Sequence, residues 1–269
     1  EPVVAIDTEV VAAVEAEEGA LPLRYTMHGG TVFGNAVHSV FEVCPFDAGE
    51  DDIRERVRES FVNYGLDAIA EEREKVDATV EMVRDTLNAE IPNASGKVFT
   101  LASIKKSRRS SEMSFHFPMK HGATLGGLVE LLRGWGGIYS KMFEGGRSPE
   151  SSVAGMMTGI VDLFFEQDGK YYIADWKTNI MDGVPASFHI DANNPLSSRI
   201  AEELASSMYP LQWAIYTVAM HRHLRNTVRG YDYERDFGGV RYLFVRGITK
   251  QRPGDGVWVQ PPPSLNDLN

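Results

Sequence analysis

The sequence predicts an α/β fold, and three stretches of regular side-chain spacing indicate it. Between residues 159 and 178, two runs rich in β-branched and aromatic residues flank Asp168-Gly169, a pair typical of a tight hairpin turn because both residues tolerate positive φ. Residues 51–88 repeat apolar side chains with helical spacing. Residues 111–118 alternate polar and apolar side chains, as a strand does.

The N-terminal part is expected to be mostly helical. Residues 1–22 contain many acids, no Lys or Arg, and a closing proline, which we interpret as a linker remnant or a peripheral segment. The chain starts with Glu-Pro rather than Met, so we expect a fragment or a processed product. A helical pattern begins at Thr31, and residues 51–88 predict two or three amphipathic helices whose charges face solvent.

The C-terminal part continues the alternation of helices and strands. A polar segment rich in Gly, Pro and Asn, residues 179–198, predicts a loop. Residues 200–225 predict a long helix, in which Pro210 implies a kink or a break near Met208. Residues 240–245 predict another core strand, and residues 251–269 a tail.

Composition excludes several classes of protein. With 269 residues, 43% of them hydrophobic, the chain is long enough for one large domain or two small ones. It has no run of about 18 apolar residues, so we expect no membrane span. The one cysteine, Cys44, suits a reducing cytoplasm and excludes a four-cysteine iron–sulfur cluster. The G-x-x-x-x-G-K-[ST] pattern of an ATP site is absent.

The charge balance argues against a protein that binds DNA over a broad surface. The formal net charge is −11, and a polyanion is repelled by an acidic domain. Two basic clusters stand out: residues 105–109, and the group Arg222, His223, Arg225 and Arg229. The first either contacts phosphates or forms a solvated loop that pairs with nearby acids. The second also suits the dipole at a helix C-terminus.

The predicted hairpin carries charged residues in an otherwise apolar setting. Strand alternation places Asp175 and Lys177 on one face and Trp176 on the other, with Asp162 roughly opposite Asp175 on the partner strand. Burying an ionised side chain without a partner costs roughly several kcal/mol of folding free energy. A divalent cation would relieve the repulsion between the carboxylates, and the lysine would balance a phosphate or position a water. The alternative is an edge hairpin whose charges face solvent.

These motifs together resemble a known enzyme family. Gly159-Ile160-Val161-Asp162, followed by Asp175-Trp176-Lys177-Thr178, resembles the core of the PD-(D/E)XK nucleases. A helical Gly34-x-x-x-His38-x-x-x-Glu42 and a later Gln212-x-x-x-Tyr216 resemble its RecB branch, as do residues 231–247. The resemblance spans about residues 24–250. It implies a restriction-endonuclease-like core, with a central mixed β-sheet flanked by helices and a helical N-terminal part, and a nuclease domain at 23–250.

The resemblance also implies roles for individual residues. Asp162, Asp175 and Lys177 are expected to be catalytic. The metal would be Mg²⁺, with Mn²⁺ as the alternative, and its ligands would be His38, Asp162, Asp175 and the carbonyl of Trp176. Gln212 and Tyr216 would contact the substrate or order the lysine, and Glu112 would lie in or beside the site. On residue pattern alone, His38 and Glu42 form a surface pair on one helix face, and Glu112 is a polar strand residue.

The expected function is that of a metal-dependent DNA nuclease in the cytoplasm. By resemblance it acts mainly on single-stranded DNA and the ends of duplexes, in double-strand break processing and recombination. The implied partners are a covalently attached helicase and RecC-like and RecD-like subunits. Two alternatives remain: a catalytically silent docking module for partner subunits, and a phosphoesterase acting on small molecules.

Overall fold

The computed structural model describes residues 21–27, 29–119, 124–142 and 155–268. The predicted linker, residues 1–22, lies almost entirely outside these ranges. Within them, no helix combines the length and the apolar character needed to cross a bilayer.

Helices form the N-terminal part, as predicted. Residues 51–88 resolve into three of them, and the first begins with an acidic turn, Glu50 to Asp52, that complements the helix dipole. The helices of this layer are α1 (Leu23–Thr26), α2 (Thr31–Val43), α3 (Glu50–Asn63), α4 (Asp67–Glu71) and α5 (Arg73–Asn88).

A mixed five-stranded sheet follows the helices. The strands are β1 (Ile91–Pro92) and β2 (Val98–Phe99), which pair separately, then β3 (Arg109–Pro118), β4 (Met156–Gln167), β5 (Lys170–Lys177), β6 (Phe237–Phe244) and β7 (Val257–Gln260). The order in the sheet is β3-β4-β5-β6-β7, and neighbouring strands are antiparallel except β5 and β6, which are parallel. The predicted hairpin joins β4 to β5 through Asp168 and Gly169, with φ of 51° and 75°.

The last strand lies within the residues expected to form a tail. β7 pairs with β6 from Val257 opposite Leu243 to Gln260 opposite Val240. Val257 and Trp258 are buried, so this segment gains the apolar contacts that hold it to the sheet. The sheet therefore extends beyond residue 250.

A second group of helices covers the other side of the sheet. The predicted break near Met208 is present: Met208 is left-handed at φ 57°, and Pro210 occupies the first turn of the next helix, where its missing N–H costs nothing. These helices are α6 (Leu125–Gly134), α7 (Gly137–Lys141), α8 (Arg199–Ser206), α9 (Tyr209–Thr227), α10 (Tyr233–Asp236) and α11 (Leu265–Leu268).

Two apolar cores lie on opposite faces of the sheet. Alternation along β5 divides neighbouring residues between them: Ala174 packs with the N-terminal helices, whereas Ile173 packs with α7, α8 and α9. The predicted α/β class, with a mixed sheet flanked by helices and a helical N-terminal part, is therefore confirmed.

Candidate metal centre

The strands that carry the predicted acids are irregular at one level of the sheet. The register of β3 against β4 continues on both sides of Glu112 and Asp162 but omits this one pair. Glu112 has a φ of 49°, a left-handed conformation that costs a residue other than glycine about 1–3 kcal/mol. Val161 packs with the core beside α9, whereas Leu163 packs with the N-terminal helices, so β4 changes face at Asp162.

This irregular level brings three potential metal ligands together. His38 of α2, Glu112 of β3 and Asp162 of β4 each offer one ligand atom, and these atoms lie within 4.8 Å of one another. Nδ1 of His38 is 3.3 Å from Oδ2 of Asp162. Carboxylate oxygens suit Mg²⁺ and Mn²⁺, and imidazole suits Mn²⁺ better than Mg²⁺. The group can therefore hold a metal ion.

The electrostatics of the group favour a cation. Burial, and then the nearby Asp175 carboxylate, raise the pKa of Asp162 well above its usual value. Burial also raises the pKa of Glu112, with further contributions from Glu42 and Asp175. Burial lowers the pKa of His38, which keeps the imidazole neutral and able to ligate. Repulsion between buried carboxylates is what a bound divalent ion relieves.

Asp175 lies beside this group rather than within it. The β4–β5 register ends at Leu163 opposite Ala174, one residue before the predicted Asp162–Asp175 pair. Asp175 is only 1% exposed, and its Oδ1 makes an ion pair with Nζ of Lys177. The negative charge of Asp175 contributes to the raised pKa of Asp162.

The backbone of Trp176 faces the same group. Its amide donates to Oδ2 of Asp162 at 2.9 Å, and a hydrogen bond to its backbone partly offsets the lowered pKa of His38. Its indole points to the other face, as alternation predicts, and stacks on Phe41 at 4.3 Å between ring centroids. The carbonyl predicted as a ligand is therefore close to His38.

Lys177 is held as a cation by its surroundings. Burial lowers its pKa, but the Asp175 carboxylate, with smaller contributions from Tyr209 and Asp162, raises the pKa above its ordinary value. The ammonium also lies 4.0 Å from the ring centroid of Tyr209 and 4.8 Å from that of Tyr242. These contacts favour the charged form of the ammonium.

A short hydrogen-bonded chain links Lys177 to α9. Nζ of Lys177 donates to Oε1 of Gln212 at 3.3 Å, and Nε2 of Gln212 lies 2.7 Å from the Tyr216 hydroxyl. The Tyr242 hydroxyl donates to the same Oε1 at 2.7 Å. Gln212 is thus oriented with its oxygen toward the ammonium, which supports the predicted ordering of Lys177.

Sequence analysis missed Tyr209 and Tyr242 as neighbours of the lysine. Tyr242 lies opposite Asp175 in the parallel β5–β6 register, which no local pattern reveals. Tyr209 begins α9, directly before Pro210, and its only sequence signal is its proximity to the Gln212 motif. Both become apparent only once the sheet and α9 are packed.

Other predicted positions lie further from the ligand group. Glu42 is exposed one turn beyond His38 and is not among the ligating residues in the described part of the chain. In the basic segment 105–109, Arg108 forms an ion pair with Glu166 at 3.0 Å, and Arg109 lies 3.5 Å from the ring centroid of Phe46. Arg108 therefore pairs with an acid, as the second interpretation held, whereas Arg109 belongs to β3 and packs on an aromatic ring.

Two clefts flank the ligand group. One, of about 390 Å³, is lined by the start of α2 with His38, by residues 178–180 and by Tyr209. The other, of about 500 Å³, begins at Met113, the neighbour of Glu112, and runs between β3 and α9.

Comparison with known proteins shows which proteins this chain resembles in sequence. The chain is 29% identical to the RecBCD enzyme subunit RecB of Escherichia coli over 259 residues, which cover 96% of the chain. It is 31% identical over 90% of its length to RecB of Mycolicibacterium smegmatis, and 29% identical over 87% to RecB of Haemophilus influenzae. The chain is homologous to RecB over most of its length.

The homology to RecB confirms the resemblance seen in the motifs. The chain spans only about a fifth of the length of these subunits, 20% in Escherichia coli and 23% in Mycolicibacterium smegmatis, so it corresponds to a RecB-like domain. No family model matches it.

Proposed function

We propose that this chain is a metal-dependent deoxyribonuclease domain of the RecB type, an enzyme of the exodeoxyribonuclease V type that hydrolyses phosphodiester bonds, mainly in single-stranded DNA. The observation that carries the proposal is the meeting of His38, Glu112 and Asp162 at a strained break in the sheet, beside the buried Asp175–Lys177 pair. Perturbed carboxylates next to a fixed cation are typical of a catalytic site.

The side chains fit a hard divalent cation, Mg²⁺ or Mn²⁺. Asp162 and His38 would hold it, with Glu112, Asp175 and the Trp176 carbonyl completing the ligand set. When bound, the cation neutralises the carboxylates, makes a water more acidic and supports charge on phosphate oxygens.

The protein's own groups supply the remaining chemistry. The Lys177 ammonium, kept charged by Asp175 and oriented by Gln212, stabilises negative charge that develops on the phosphate in the transition state. Because its position is fixed before the reaction, this stabilisation needs no reorganisation of the site. His38 stays neutral, and Glu42 serves as a nearby charge that tunes Glu112.

A comparison of cleavage rates tests the proposal. The wild-type chain is expected to degrade single-stranded DNA in Mg²⁺ and to stop in EDTA, and Asp175→Ala is expected to be slower by at least about 10³-fold. Lys97→Gln, at an exposed position outside the site, is the control for a single-residue change. Equal rates for Asp175→Ala and wild type would contradict the assignment. A folded wild type that cuts no DNA would favour a silent docking module instead.

We further propose that the domain works as part of a larger machine. Its relatives are named as RecBCD subunits, and the acidic balance of −11 suits a domain to which other parts deliver the DNA. An attached helicase with RecC-like and RecD-like subunits would supply single strands during double-strand break processing and recombination. Stimulation of cleavage by those subunits on duplex ends would support this role, and cleavage unchanged by their addition would contradict it.

A further inference from the structure

The cleft between β3 and α9 combines basic and aromatic side chains. β3 is the outermost strand of the sheet, and its residues 113–118 form one wall. α9 forms the other wall with its last two turns. The side chains that matter here are Phe115, His116, Phe117, Arg222, His223 and Arg225.

The cleft begins at Met113, next to Glu112, and leads away from it along β3. Near the centre, Phe115 meets Tyr216 edge to face at 5.8 Å between ring centroids. Further out, the guanidinium of Arg222 lies 4.7 Å from the ring centroid of Phe117. β3 and α9 therefore run in the same direction, and the helical rise puts Arg222 about 9 Å beyond Tyr216.

Among the described residues, the arginines of this cleft have no acidic partner. No ion pair or hydrogen bond within the described part of the chain involves the side chain of Arg222 or Arg225. The pKa of the neighbouring His221 is lowered by burial first and then by Arg225 and Arg222, which shows a locally positive field. The chain as a whole is acidic, with a net charge of −11, so a local pair of arginines without an acidic partner among the described residues favours an anionic ligand at this cleft.

The aromatic rings indicate what kind of anion fits. Phe115 and Phe117 are partly buried and stacked at 6.0 Å between centroids, on the wall opposite the arginines. Basic residues that follow a phosphate backbone, combined with aromatic rings on which bases stack, are typical of single-stranded nucleic-acid binding. The cleft volume of about 500 Å³ is that of a site for a drug-sized ligand, which is enough for a short stretch of a single strand.

We propose that this cleft is the path along which single-stranded DNA reaches the metal centre, with Arg222 and Arg225 on its phosphates and Phe115 and Phe117 against its bases. The proposal rests on the nuclease function proposed above and adds the residues that position the substrate. The contact between Phe117 and Arg222 holds the guanidinium at the cleft without a carboxylate.

The test is binding of a fluorescent oligothymidylate to the full 269-residue chain in EDTA, measured by anisotropy so that cleavage does not interfere. Arg222→Gln/Arg225→Gln is expected to bind about tenfold more weakly than wild type, and the slope of log K against log salt to fall by about 1.4. Arg58→Gln/Lys97→Gln removes the same charge at exposed positions outside the cleft and is expected to bind like wild type. Equal losses in both double variants would overturn the proposal.

A second measurement keeps the result decisive if the cleft variant folds poorly. Photocrosslinking of wild type to an oligonucleotide with 5-iodouracil is expected to label peptides that contain Phe115, Phe117 or residues 219–226. Labelling confined to other peptides would overturn the proposal.

The two proposals fail in different ways. If wild type binds DNA through the cleft but does not cut it, the nuclease assignment fails and the path stands. If Asp175→Ala abolishes cutting while the cleft variant binds as well as wild type, the path fails and the nuclease stands.

Discussion

Two groups of ionisable side chains in this molecule, one fully buried and one partly buried, differ in how their charges are compensated. In the first, Arg24 pairs with Asp85 at 2.8 Å and donates to the carbonyls of residues 245, 246 and 248. Arg246 donates to the carbonyls of Thr178, Arg24 and Met27. Burial and the nearby Arg24 lower the pKa of Arg246 to about 10, so it keeps its charge at neutral pH.

In the second group, His38, Glu112 and Asp162, the compensation is weaker: Asp162 accepts a backbone hydrogen bond from Trp176 and lies beside an imidazole whose pKa is lowered. Its carboxylates have raised pKa values, and the Glu112 backbone is left-handed. The Arg24–Asp85 group ties α1 and α5 to the segment after β6 and serves stability. We propose that the fold tolerates repulsion and strain in the second group because a bound cation would complete it, as in a functional site.

Neutralising the second group should have the largest effect. Asp162→Asn is expected to lower DNA cleavage by at least about 10³-fold, because the metal loses a charged ligand. Its free energy of unfolding in EDTA should not fall, because the repulsion is removed. Cleavage rates and urea unfolding measure both. Asp168→Asn in the turn of the same hairpin is the matched control and should cut DNA at the wild-type rate. A large loss of stability in Asp162→Asn would contradict the proposed difference between the two groups.

Breaking the first group should affect stability and not catalysis. Asp85→Ala leaves Arg24 buried with only carbonyl acceptors, so the free energy of unfolding should fall by about 3–5 kcal/mol. The folded fraction should cut DNA at the wild-type rate. Glu59→Ala, which breaks the exposed pair with Arg56, should change stability by less than about 1 kcal/mol. If both variants were equally stable, the structural role of Asp85 would be refuted.

Gln212 connects the second group to α9, and its removal should have an intermediate effect. Gln212→Ala deprives Lys177 of an oriented acceptor, so kcat should fall by roughly 10- to 100-fold. The Kd for DNA in EDTA should stay unchanged, because Gln212 is a positioning residue here. Steady-state kinetics and anisotropy separate the two quantities. A weaker Kd with normal kcat would instead place Gln212 on the substrate.

The raised pKa of Asp162 predicts how stability depends on pH without metal. The folded state retains this proton at pH values where the unfolded chain has lost it, so the contribution is present below the unfolded pKa. It is lost as pH rises through the folded pKa. In EDTA, the stability of wild type relative to Asp162→Asn should therefore decline with rising pH, by at most about 1.4 kcal/mol per unit. A rising difference would contradict the direction of the shift.

The strain at Glu112 can be separated from its charge by two substitutions. Glu112→Gly and Glu112→Ala both remove the carboxylate and should both lower cleavage. Glycine adopts a φ of 49° at little cost, so Glu112→Gly should be about 1 kcal/mol more stable than Glu112→Ala in urea unfolding. Equal stabilities would show that the backbone here is not strained.

How much the sequence reveals depends on whether the information is local. The hairpin turn at Asp168-Gly169 and the break before Pro210 were predictable because neighbouring residues determine them. The motifs also singled out His38 and Asp162, which the structure brings close together. The left-handed Glu112 and the partnership of Gln212 with Tyr242 were not predictable, because they arise from packing between distant strands and helices. β7 was missed because four residues between turns give little periodicity.

The most direct test of the account is to locate a metal ion in the protein. Crystals of wild type soaked in Mn²⁺ should show an anomalous peak at coordination distance from His38 and Asp162 and beside Glu112, and the peak should be absent in Asp162→Asn. An ordered site with no peak, or a peak confined to another part of the molecule, would contradict the claim that these side chains are held together to bind a catalytic cation.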